Sequence, residues 1–111
     1  MKIDVRQMGS VTVLSPHGAI AQDDVDEFTQ AVEEHRCGTN GRLVLDLANV
    51  AFLDSRGVEA LWDFSDAQQH GGQTARLATV PELCREILEL AGLAEQVDIF
   101  DSSESAVRSF V

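Results

Sequence analysis

The apolar positions of this chain switch between short dense runs and wider helical spacings. Ile3 and Val5, then Val11 and Val13 with Leu14, mark two short strands, and Met8-Gly9-Ser10 between them reads as a turn. Pro16 and Gly18 make the end of the second strand irregular, which suits an edge or a bulge. A helix is predicted over roughly 22–36. Asp23 and Asp24 lie in its first turn, Val25, Phe28 and Val32 form an i, i+3, i+7 face, and Gly38-Thr39-Asn40-Gly41 ends it. Leu43–Leu47 is dense enough for a central strand buried on both faces. A second helix starts near Ser55 and stops at Gly71-Gly72, and Thr74–Val80 is a further strand. Pro81 opens a third helix, where its missing N–H costs nothing. Leu83, Ile87 and Leu90 form the apolar face of that helix, and Gly92 caps it. Val97–Phe100 is a last strand, and Ser102 begins a terminal helix with Val107 and Phe110 as its stripe.

The predicted order is β-β-α-β-α-β-α-β-α, with no internal repeat or linker. This alternation predicts an α/β fold: one domain over residues 1–111, with a mixed, mostly parallel β-sheet of four to five strands and about four α-helices. The first two strands add an antiparallel hairpin to the sheet.

Composition narrows the function. Five Phe, one Trp and no Tyr leave the core to Leu, Val, Ile and Ala. Nineteen acidic residues face eight basic ones, and the net charge of −11 argues against nucleic acid or an anionic membrane as partner. The acidic clusters Asp23-Asp24-Asp26-Glu27 and Glu33-Glu34 read as a solvated helix face. Cys37 and Cys84 lack CxxC spacing, and each is expected on or at the end of a helix as a small apolar side chain. His17, His35 and His70 make no ligand set with them, so no metal or other cofactor is expected. No segment has the run of a signal peptide or of a membrane span, so a cytoplasmic location is expected.

The chemistry concentrates in Asp54-Ser55-Arg56-Gly57, which leads from the Leu43–Leu47 strand into the second helix. A hydroxyl at a helix start sits beside unpaired N–H groups and the positive end of the dipole, where a phosphate is stabilised. Ser55 is therefore either a phosphate acceptor or simply the helix N-cap. Asp54 reads as an Asx-type cap, or as the group that orients the Ser55 hydroxyl. Arg56 would either clamp a phosphate on Ser55 or obstruct a partner. Gly57 is there for close approach or is merely tolerated. Trp62, one turn beyond Val58, is either core or an interface anchor. Catalysis is not expected, because Leu53 stands where a Gly-x-Ser-x-Gly elbow needs glycine and no Walker-type loop occurs.

Taken together, LVLDL followed by Asp-Ser-x-Gly at 54–57, Gly71-Gly72 before a strand, Ala91-Gly92-Leu93 and Gly18 resemble a STAS domain. This is the fold of bacterial anti-sigma factor antagonists, and the resemblance covers essentially the whole chain. It implies that Ser55 is phosphorylated by a partner that is both anti-sigma factor and serine kinase. The unphosphorylated form would bind that partner and release a sigma factor, and a metal-dependent serine phosphatase would restore binding. The implied docking surface is Asp54, Ser55, Arg56, Gly57, Val58, Glu59 and Trp62. The chain departs from the usual pattern at Arg56, at Glu59 and at Gly18-Ala19-Ile20-Ala21, where relatives often carry Gly-Glu-Leu-Asp. An accessory subunit of a lipid-transport ATPase, or a module of another signalling complex, is the alternative that the same fold implies.

Overall fold

The computed structural model describes residues 1–110. Its sheet has five strands in the order β1-β2-β3-β4-β5, formed by Lys2–Met8, Val11–His17, Leu43–Asp46, Ala75–Ala78 and Val97–Phe100. β1 and β2 pair antiparallel, and every later pair is parallel. Four helices, α1 (Asp24–Gly38), α2 (Ser55–His70), α3 (Glu82–Leu90) and α4 (Ser103–Arg108), connect or follow the strands, with one 3-10 turn at Leu93–Glu95. The hairpin turns at Gly9-Ser10, where Gly9 takes the left-handed φ of 66° that a two-residue connection favours.

The period-two alternation of the strands divides the core into two layers. Leu14, Leu43, Leu45, Leu47, Ala75 and Leu77 join Phe28, Val32, Leu61 and Phe64 of α1 and α2 in the larger one. Val11, Val13, Val44 and Ala78 face the other way, against Ala106, Val107 and Phe110 at the C-terminal end. β3 is therefore buried on both faces, as its continuous apolar run predicts.

Pro16 needs a different account from the expected edge or bulge. β2 is an interior strand, and β1 forms the edge. Pro16 lies two residues past Leu14, the last β2 residue paired with β3, so no parallel ladder bond is asked of its missing N–H.

α3 also departs from its expected face. Its buried residues are Cys84 and Leu88, with Ile87 partly covered, whereas Leu83 is 52% and Leu90 90% exposed. Five of its nine residues are apolar, so their arc is wider than a short helix resting on a sheet can cover. The i, i+4 pair with the small cysteine takes the side nearest the strands. Cys84 thus fills its expected apolar role, but Cys37 is exposed at the end of α1 beside Glu33 and Arg36.

Candidate partner-docking site around Ser55

Between β3 and α2 the chain crosses the segment that joins β2 to α1, and the two are stitched together. Ile20 pairs with Leu53 in an isolated parallel bridge, and the Ile20 N–H donates to the Phe52 carbonyl at 3.0 Å. Ile20 and Leu53 are both buried, so the apolar residues on each side of the crossing fix its position.

The N-cap of α2 is Asp54 rather than Ser55. Asp54 is extended (φ −89°, ψ −175°), and its Oδ1 accepts the Gly57 N–H at 2.8 Å. Its Oδ2 accepts the Gln22 N–H at 2.9 Å, across the crossing. These two N–H donors, Gly57 foremost, hold the Asp54 carboxyl below the usual carboxylate range, with Arg56 assisting.

The depressed value fixes the sign of a pH effect. Asp54 adds stability above the ordinary carboxylate range and loses it as pH falls through its lower folded value. Asp54→Asn keeps an oxygen for Gly57 but turns an amide toward the Gln22 N–H. Urea midpoints should therefore be lower for Asp54→Asn at pH 7, with the gap to wild type narrowing toward pH 2. A gap that stays constant would show that the Asp54 charge plays no part.

The remaining residues of the segment are equally committed. Arg56 donates from Nη1 to the Gln22 carbonyl at 2.8 Å and from Nη2 to Asp26 Oδ1 at 3.1 Å. Its guanidinium thus braces the start of α1 and is occupied away from Ser55. Gly57 is buried, and a Cβ there would stand 2.1 Å from the Ile20 carbonyl oxygen, so close approach is the reason for glycine. Gln22 itself holds a left-handed φ of 52°, unusual for a non-glycine residue, and is gripped at its N–H by Asp54 and at its carbonyl by Arg56.

Ser55 is the exception. It is the first helical residue and is exposed, and its hydroxyl makes no hydrogen bond among the described residues. The first turn of α2 carries no acidic residue to offset the helix dipole. Glu59 is exposed one turn further on, while Val58 and Trp62 are partly buried against the larger core layer. Trp62 therefore divides its surface between core and solvent. Local periodicity does not reveal the parts played by Ile20, Gln22 and Asp26, because nothing in it shows that the β2–α1 loop and the start of α1 meet this segment.

Among the described residues no group of three or more His, Cys, Asp or Glu is placed to hold a metal ion. No described helix is long and apolar enough to cross a membrane.

A family model described as STAS domain matches residues 2–106. No curated protein sequence matches the chain. Among solved structures, an anti-sigma factor antagonist from Mycobacterium paratuberculosis aligns with a TM-score of 0.85 at 22% identity, over 97% of this chain and 92% of its own. The anti-sigma factor antagonist SpoIIAA in its unphosphorylated form aligns with a TM-score of 0.79 at 13% identity, over 98% of this chain and 96% of its own. A murine anion transporter, Solute Carrier 26 family member A9, has a TM-score of 0.78 at 19% identity over 94% of this chain, but over only 18% of its own. The family match spans all five strands and reaches the buried Ala106 of α4, so this chain belongs to the STAS domain family.

Proposed function

We propose that the domain is a non-enzymatic regulator switched by phosphorylation of Ser55. The unphosphorylated form binds an anti-sigma factor with serine-kinase activity and so frees a sigma factor. Phosphorylation ends the binding, and a metal-dependent serine phosphatase resets it. Asp54, Ser55, Arg56, Gly57, Val58, Glu59 and Trp62 form or frame the docking surface.

One observation carries this reading. Three residues of Asp54-Ser55-Arg56-Gly57 are used to lock two loops together, and the exposed serine is the one whose side chain is left unengaged. A kinase can reach that hydroxyl without unfolding anything. The added dianion would meet a helix N-terminus that tolerates it.

The same fold fits a second reading, as an accessory subunit of a lipid-transport ATPase. The likeness to a domain of an anion transporter supports only the association of this fold with transporters. Gene neighbours discriminate: transporter subunits support that reading, and a serine kinase or phosphatase supports the switch.

The direct test is intact-mass analysis with site mapping on protein purified from its native host. A phosphorylated fraction modified at Ser55 is expected. Ser65 is fully buried and the Ser102 hydroxyl caps α4, so neither is a ready competitor. Phosphate on Ser10 or Ser102 with Ser55 untouched would overturn the assignment.

A further inference from the structure

Four large hydrophobic residues are exposed among the described residues: Val5, Phe52, Leu83 and Leu90. Val5 lies on the edge strand, while the other three fall on two adjoining segments. Phe52 stands three residues before Ser55, in the segment whose Val50 carbonyl accepts the Cys84 thiol of α3 at 3.5 Å. Leu83 precedes that cysteine, and Leu90 follows Leu83 by seven residues, two turns along the same helix face. Ile87, half-covered, lies between them. An apolar strip thus runs along α3 from the segment that leads to the phosphate acceptor.

We propose that this α3 strip is a second contact surface for a protein partner, continuous with the Ser55 surface and fitting an apolar groove rimmed by lysine or arginine. The inference rests on the reading of Ser55 as the docking point and extends it. Charge selects the partner. α3 exposes Glu82, Glu86 and Glu89 around the leucines against a single Arg85. A second copy of this chain would set those carboxylates against their own kind, in a domain that already carries a net charge of −11. A basic rim would pair with them, and the leucines would supply the dehydrated centre that dominates interface energetics.

The test replaces Leu83, Leu90 or Glu59 with a benzophenone amino acid in the native host, and the cross-linked peptides are sequenced. Positions 83, 90 and 59 should all capture one protein, with positions 83 and 90 landing on a segment that mixes apolar residues with Lys or Arg. Against that protein, purified, Leu83→Glu with Leu90→Glu should weaken binding on the order of a hundredfold. The urea midpoint of this variant should hold, because both side chains are exposed, whereas Leu88→Ala, at a buried position, should lower it.

Capture from position 59 but not from 83 or 90 overturns the α3 surface and leaves the Ser55 reading standing. Unchanged capture from 83 and 90 in Ser55→Asp supports the surface and overturns the switch. Cross-links between two copies of this chain overturn the basic partner, and no capture from any position overturns both proposals.

Discussion

Ser55→Asp should cost the domain its partner while leaving its fold in place. The expected loss of affinity is at least a hundredfold, and the thermal midpoint should stay within a degree or two of wild type. The two effects separate because they have different physical origins. In the free domain, a carboxylate at the first position of α2 meets a helix N-terminus with no other acid in its first turn. That position favours negative charge by roughly 0.3–1 kcal/mol. The neighbouring Asp54 carboxylate, held ionised by the Gly57 and Gln22 N–H groups, offsets part of this gain. The net change in stability is small.

At the interface the same charge keeps the helix N-terminus but loses its water. A carboxylate enclosed against a partner surface without a matching cation costs several kilocalories, and about 1.4 kcal/mol is a factor of ten in affinity. A phosphate carries about −1.5 to −2 charges and should act more strongly. Ser55→Ala removes the acceptor without adding charge, so it should bind like wild type and resist phosphorylation. Calorimetric titration of the proposed serine-kinase partner, purified, against the three proteins measures this directly. Equal affinity for wild type and Ser55→Asp would end the switch proposal, whatever the phosphorylation state found in cells.

How much of this was legible in the sequence depends on the range of the interaction. The run Leu43–Leu47 specified a strand buried on both faces because each residue reports its own environment. The helix faces of α1 and the boundaries of α2 followed from spacing and glycines in the same way. The N-cap did not. Asp54 and Ser55 are both good caps, and the choice is reinforced by a bond from the Gln22 N–H, 32 residues away. Arg56 was ambiguous for the same reason, since its partners Gln22 and Asp26 lie on the other loop and on α1. On α3, periodicity allowed several faces of a broad apolar arc, and only the docking of the helix on the sheet selected Cys84 and Leu88. Composition and pattern therefore revealed the fold and singled out the candidate site. The commitments that leave Ser55 exposed are contacts between loops distant in sequence.

Gly57 turns that lesson into a quantitative expectation with an unusual sign. Replacing glycine by alanine within a helix normally stabilises by up to about 1 kcal/mol, because alanine gives up less backbone freedom on folding. Here a Cβ would lie 2.1 Å from the Ile20 carbonyl oxygen and 3.2 Å from its carbon. The obstacle is backbone, and it cannot retreat. The Ile20 side chain is fully buried, its N–H is bonded to Phe52, and Gln22 two residues on is held by both Asp54 and Arg56. Gly57→Ala must therefore push α2 away from the β2–α1 loop, at a cost of about 3 kcal/mol, the upper end of usual overpacking penalties. The movement also strains the Asp54 and Arg56 bonds that hold the platform under Ser55, so partner affinity should fall even without phosphate. Urea unfolding should show a lower midpoint for Gly57→Ala. Adding Ile20→Ala should not rescue it, because truncating that side chain leaves the clashing oxygen where it was. A Gly57→Ala protein as stable as wild type would mean that the two loops can part freely, and the rigid platform inferred for Ser55 would have to be abandoned.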